Sequence, residues 1–305
     1  MGWSRRHRSI PLSCAFALAI GGCSLFVDTD GLHDGASDAS IDADGSTDSG
    51  ADSGDAGSGN DSSSNDANVV DAGSSYATAI LADGPLAYFR LNESSGTTIS
   101  SEVGSFVGSF SHGVTLGTPS SVTRESGNLG ATFFSDASND DSDLTLGNNF
   151  AFTGTQAFSI EMWVNATTID SNPRHTLSKA DRDGTDTPVD GWNVCVSAGT
   201  IWIERIANAG SVIRSSQLAI VQGSTFYFVG VYDGSNLIPY VNAVSGSPVP
   251  APGAVTPNVT AAFMGSANGG VNPGHGFIGM LDEVAVYDKA LTQAQITAHF
   301  NAGKP

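Results

Sequence analysis

Short apolar runs, rich in β-branched and aromatic residues and separated by glycine, asparagine, aspartate and proline, recur along the last 230 residues of this 305-residue chain. Ala87–Leu91, Leu129–Phe134, Ala157–Asn165, Gly191–Ser197, Thr200–Ile206, Phe226–Asp233, Asn236–Asn242 and Phe277–Tyr287 are the clearest. Runs this short cannot supply long helices, and their repeated interruption by turn residues points to an all-β sandwich or barrel.

Periodicity assigns faces within the runs. Along Phe158–Val164 the side chains of Phe158, Ile160, Met162 and Val164 fall on one face, and those of Glu161 and Trp163 on the other. Thr225–Tyr232 is apolar on both faces, as expected for a central strand covered on both sides. Ala198-Gly199 and Asp233-Gly234 signal hairpins. Helical pattern is confined to the ends of the region. Tyr76–Leu81 precedes the breaker Asp83-Gly84-Pro85, and Thr292-Gln293-Ala294-Gln295 fits a capping box with Thr292 as N-cap. Ile296 and Phe300 then share one helical face, and Gly303 is a natural stop.

Charge divides the rest of the chain. The formal net charge is −19, and residues 24–75 carry twelve aspartates with no lysine, arginine or glutamate. That segment is almost all Asp, Ser, Gly, Ala, Thr and Asn, so it cannot bury enough apolar surface to offset the entropy of ordering and is expected to be disordered. As a coil it would span roughly 40 Å root-mean-square. Its lack of glutamate argues against a calcium loop, which closes on a bidentate glutamate. The acidic balance also excludes a nucleic-acid partner, whose phosphates would be repelled.

The first residues read as an export signal. Arg5, Arg6 and Arg8 precede an apolar run over Ile10–Ile20, too short for a helix that crosses a bilayer in about 20 residues. Ala19-Ile20-Gly21-Gly22-Cys23 resembles the lipobox of bacterial lipoproteins. The resemblance implies cleavage after residue 22, lipid on Cys23, and, with Ser24 following, an outer-membrane lipoprotein. The expected organisation is thus a signal peptide over 1–22, a lipid-anchored tether over 23–75 and one domain over 76–305. After processing, Cys195 has no intramolecular disulfide partner and is expected to be a small buried hydrophobe.

Within the domain, Leu81–Thr98, Phe158–Asn165, Phe226–Gly234 and the string from Gly276 to Gly303 resemble, in order, the concanavalin A-like, laminin-G-like domain of bacterial surface proteins. The resemblance implies a jelly-roll sandwich of two antiparallel sheets with a short C-terminal helix. Three strings depart from the family's pattern: Phe134-Ser135-Asp136, Tyr240-Val241-Asn242-Ala243 and Phe226-Tyr227.

Relatives of this fold often hold one calcium at a sandwich edge, and clustered loop carboxylates are the cue. Asp136, Asp140, Asp141 and Asp143 form the denser cluster; Asp181, Asp183 and Asp186 are second. Aspartate also simply favours turns. Trp163, Trp192, Trp202 and Tyr227 are candidates for stacking on a ligand from a concave face, or else core. Asp282-Glu283 invites an acid/base reading, but adjacent strand residues point to opposite faces. No strand shows the alternating acids of concanavalin-like glycosidases, and no serine-hydrolase, zinc-peptidase or phosphate-loop motif is present. The expected function is a surface-displayed, non-catalytic module binding carbohydrate or protein. A glycoside hydrolase or polysaccharide lyase, and a structural or adhesive envelope protein, are the alternatives.

Overall fold

The alternation along Phe158–Val164 separates two buried environments rather than a core and a solvent face. A computed structural model describes residues 75–122, 124–125, 127–135, 142–182, 188–267 and 275–304, with 111, 112, 181, 182 and 188 described by backbone alone. Cys23 and the other residues of the expected signal and tether lie outside the described residues, apart from Ser75.

The chain runs α1 (Tyr76–Ala82), β1 (Ala87–Phe89), β2 (Thr98–Ser100), β3 (Val107–His112), β4 (Thr115–Pro119), β5 (Leu129–Phe133) and β6 (Asp143–Thr145). Then come β7 (Phe158–Ala166), β8 (Arg174–Arg182), β9 (Pro188–Ser197), β10 (Thr200–Ala207), β11 (Ser211–Arg214) and β12 (Leu218–Ala219). The last part holds β13 (Thr225–Tyr232), β14 (Asn236–Val241), β15 (Val244–Ser245), β16 (Val249–Pro250), β17 (Phe263–Met264), β18 (Gly279–Tyr287) and α2 (Gln293–Gly303).

Two antiparallel sheets result. The first is ordered β15-β14-β13-β7-β18-β5-β4, with β1 on β18 and β16 on β14; the second is ordered β11-β10-β9-β8-β17-β6-β3-β2, with β12 on β10. Phe158, Ile160, Met162 and Val164 of β7 meet Trp192, Val194, Ile201 and Ile203 of the second sheet in the core. Each such side chain contributes roughly 1.5–3 kcal/mol on full burial. The expected all-β sandwich with a C-terminal helix is what the chain forms.

A second apolar layer covers the outer face of the first sheet. Trp163, Tyr227, Val229 and Ala285 of the strands pack against Tyr76 and Ile80 of α1 and Ile296 of α2. Gly303 lets α2 approach this closely, since a Cβ there would lie 2.7 Å from Trp163 Cζ2 and from Tyr76 Cδ2. The helix therefore continues through Gly303 and caps at Lys304, one residue beyond the expected stop. Its capping box at Thr292 and Gln295 is present as read.

Turns follow their residues. Ala198 and Gly199 both adopt positive φ (47° and 76°), the primed geometry that suits a two-residue hairpin. Asp233 Oδ1 accepts from the amides of Ser235 and Asn236, fixing the turn at Gly234. Asn242 and Ala243 make the same left-handed turn (51° and 63°) without a glycine.

Candidate functional site

On the second sheet, strict alternation produces a polar outer face. Trp192, Val194 and Val196 of β9 enter the core, which leaves Asn193, Cys195 and Ser197 on the outside. Ile201 and Ile203 of β10 likewise turn inward, and Trp202 and Glu204 turn out. Register sets Glu204 opposite Asn193 on one side and opposite Arg214 of β11 on the other, with Asn193 opposite Ser178 of β8. Directly opposed residues have Cβ atoms about 5 Å apart, so these side chains form one row.

Hydrogen bonds organise the row around Glu204. Its Oε1 accepts from Trp202 Nε1 at 2.8 Å and Arg214 Nε at 3.2 Å, and the Cys195 thiol lies 3.8 Å away. The Arg214 guanidinium stands 5.4 Å from the Trp202 ring centre. Cys195, buried as expected, is also 3.4 Å from His175 Nδ1. Next to Glu204, the buried Asn193 Oδ1 has no hydrogen-bond partner. An unsatisfied buried acceptor costs about 1–3 kcal/mol. Asn193 is 1% and Glu204 5% exposed, so the row is covered except at Arg214. Arg214 is half-exposed at the margin, its remaining guanidinium N–H groups available as donors.

The first sheet carries a different polar layer, closed beneath the helices. β18 has a bulge between Asp282 and Ala285, and Glu283 takes a left-handed φ of 52°. Asp282 and Glu283 consequently point to the same outer side, contrary to the alternation expected from sequence, because the extra residue shifts the pleat by one. Glu283 Oε1 accepts from Arg90 Nε and Nη2 at 3.2 and 3.0 Å, and Oε2 accepts from the Tyr88 hydroxyl. Arg90 also meets Glu125 at 2.6 Å. Asp282 Oδ2 accepts from the Ser120 hydroxyl and the Ser121 amide, while its Oδ1 has no partner. Burial, with the Glu283 charge beside it, pushes the Asp282 carboxyl well above the usual carboxylate range. Burial also raises Glu283, against the lowering effect of Arg90 and Tyr88. Both carboxylates are fully buried, as is Glu161.

The structure does not bring the four candidate rings together on one face. Trp163 and Tyr227 oppose each other under α2, with ring centres 5.3 Å apart and Phe300 6.0 Å from each. Trp192 lies in the core between the sheets and donates to the Phe150 carbonyl. Trp202 alone belongs to the polar face, with its indole N–H spent on Glu204. Exposures of 0–2% leave none of the four a free ring face. Trp163 and Tyr227 are buried because helices roof the first sheet, whereas Trp202 on the second is engaged by Glu204 and Arg214.

Of the candidate calcium ligands, Asp143 is a buried residue of β6 and Asp181 belongs to β8. Asp136, Asp140, Asp141, Asp183 and Asp186 lie outside the described residues. Among the described residues, no group of three or more His, Cys, Asp or Glu side chains is placed to hold a metal ion. Sequence reasoning missed Asn193, Glu204 and Arg214. The signal was present in the polar–apolar alternation of Gly191–Ser197 and Thr200–Ile206, strands singled out only for their tryptophans.

Comparison with known proteins agrees with this architecture. Residues 137–297, more than half of the chain, match the sequence model of the concanavalin A-like lectin/glucanases superfamily. No curated protein matches the chain by sequence. A structure from work on botulinum neurotoxin type C, whose cell entry depends on two ganglioside molecules, aligns with TM-score 0.57 at 12% identity, covering 74% of this chain and 53% of that one. The binding domain of botulinum neurotoxin DC in complex with rat synaptotagmin II gives 0.55 at 12%, covering 73% and 52%. Domain 4 of AbnA, a GH43 extracellular arabinanase from Geobacillus stearothermophilus, in complex with arabinotriose, gives 0.52 at 16%, covering 70% and 96%. The chain thus spans about half the length of the toxin domains and nearly all of the arabinanase domain. At these identities the likeness is one of fold.

Proposed function

We propose, for a chain that belongs to the concanavalin A-like lectin/glucanases superfamily, a non-catalytic binding module that recognises carbohydrate or protein through the outer face of its second sheet. The carrying observation is the half-exposed Arg214 guanidinium at the margin of that face, paired with Glu204 and set over the Trp202 ring. Arg214, oriented by Glu204, offers N–H donors to the oxygens of a hydroxyl- or amide-bearing ligand. Similar folds occur in structures whose ligands are arabinotriose and synaptotagmin, which supports this choice of ligand classes. The acids a hydrolase would need point the other way: Glu161 and Glu283 are buried and engaged by tyrosine, histidine and arginine side chains of the chain itself.

Export and lipid attachment at Cys23, with residues 24–75 as spacer, complete the proposal. Among the described residues no helix is long and apolar enough to cross a membrane. Calcium at the Asp136–Asp143 loop is a further element of the reading. Glycan and protein arrays at several calcium concentrations test it, with Arg214→Ala and Glu204→Gln beside the unaltered protein. We expect selective binding that each substitution weakens at least tenfold. No binding to either array at any calcium level would sink the reading. Acyl-group mass spectrometry of Cys23 tests the anchor, and a Cys23→Ser protein still held in membranes would refute it.

A further inference from the structure

His299 on α2 is 1% exposed and has a carboxylate at each ring nitrogen. Nδ1 lies 2.9 Å from Glu161 Oε2 on β7, and Nε2 lies 2.9 Å from Asp83 Oδ2 just after α1. An ionised carboxylate only accepts, and a neutral imidazole has a single N–H. Both contacts are therefore satisfied with ionised carboxylates only when the ring is protonated and donates from both nitrogens.

The same two acids hold α1 at both ends. Tyr76, its first residue, donates its hydroxyl to Glu161 Oε1 at 2.9 Å. Asp83, its C-cap, also accepts from Gln295 of α2 at 2.8 Å. A seven-residue helix is not stable alone, so α1 depends on this docking. It is also the first described helix after the acidic segment 24–75.

We propose that His299, Glu161 and Asp83 form a proton-operated clasp that fastens α1 to the sandwich and releases it as the solution turns alkaline. The titratable groups facing the ring are Glu161 on β7, Asp83 and Tyr76 at the two ends of α1, Tyr227 on β13, and Tyr287 on β18, whose ring stacks at 6.5 Å. Burial opposes the imidazolium, but the Glu161 and Asp83 charges outweigh it and raise His299 above its ordinary value. The sign follows. Stabilisation is complete below the imidazole's unfolded value near 6.5 and is lost as pH rises through the higher folded value.

Hydrogen exchange of the full-length protein, read by mass spectrometry and corrected for intrinsic rates, tests the clasp. Peptides covering 75–86 should lose at least tenfold protection as pH rises above the ordinary imidazole range, while β7 and β13 keep theirs. His299→Gln should abolish that step and leave 75–86 exchanging fast throughout. A step that persists in His299→Gln, or no step in the unaltered protein, would overturn the proposal. Should His299→Gln fail to fold, Asp83→Asn gives the second reading: removing one carboxylate should move the midpoint to lower pH, and an unmoved midpoint counts against the clasp. Long-range nitrogen–proton NMR should place the ring's protonation midpoint above that of an unfolded peptide. A midpoint at or below it would refute the clasp outright.

Discussion

Asp282 and Glu283 are adjacent in sequence and yet present their carboxyl groups to the same side of the first sheet, because Glu283 occupies a left-handed bulge. A non-glycine residue held there costs about 1–3 kcal/mol. The Arg90 and Tyr88 hydrogen bonds to Glu283 offset that strain. Glu283→Ala should therefore destabilise the domain by roughly 3–5 kcal/mol, since it leaves Arg90 and Tyr88 without their buried acceptor. Urea unfolding checks the figure. A loss under 1 kcal/mol would mean that Glu125 and Asn128 suffice for Arg90.

Asp282 gives a pH test. Its folded carboxyl is raised well above the range of an unfolded aspartate, so the native state holds its proton longer than the unfolded one. Its contribution is most favourable at acid pH and erodes as pH climbs from the unfolded value towards the folded one. Asp282→Asn keeps an acceptor for Ser120 and Ser121 and removes the ionisation. We expect a higher Tm than the unaltered protein at pH 8 and little difference at pH 4. Calorimetry at the two values decides, and an equal shift at both would contradict the account.

The Asn242-Ala243 turn should improve with glycine. Ala243 has φ 63°, where an L-residue with a Cβ is disfavoured by roughly 1–2 kcal/mol. Glycine removes that cost and gives back about half of it as unfolded-state entropy. Ala243→Gly is expected to stabilise by about 0.5–1 kcal/mol, measured by denaturant midpoint at unchanged slope. Destabilisation would show that the Ala243 methyl has a packing role.

Gly303 should resist the reverse exchange. A methyl group there meets the rings of Trp163 and Tyr76, neither of which can swing aside within a filled layer. Gly303→Ala should cost roughly 1–3 kcal/mol despite alanine's better helix propensity. Near-ultraviolet circular dichroism of the tryptophan should change with it. A neutral result would mean that α2 docks more loosely than its contacts imply.

Much of this was legible in residues alone. The capping box at Thr292, the hairpin at Ala198-Gly199 and the inward row Phe158-Ile160-Met162-Val164 each follow from local rules that the packing leaves intact. What escaped was whatever depended on a neighbour. Periodicity placed Glu161 and Trp163 together opposite the core row, but could not show that two helices far apart in sequence would cover that face. The same gap hid His299, whose meaning lies in Glu161 and Asp83, residues separated from it by 138 and 216 positions. The Glu283 bulge breaks the very alternation used to read strands. At Glu204 the polar–apolar alternation of Thr200–Ile206 already places the side chain on the outer face, opposite Ile201 and Ile203.

The joined helices have a consequence for how the domain sits in its surroundings. Ser75 and Lys304 cap helices that touch each other on one sheet, while the Asn193–Glu204–Arg214 row faces away from the other. Residues 75 and 304 are thus on one side of the sandwich and the polar row on the opposite side. A circular permutant that links residue 304 to residue 75 should fold, and any load applied between the Arg214 margin and residues 75 or 304 must cross both sheets and the core between them.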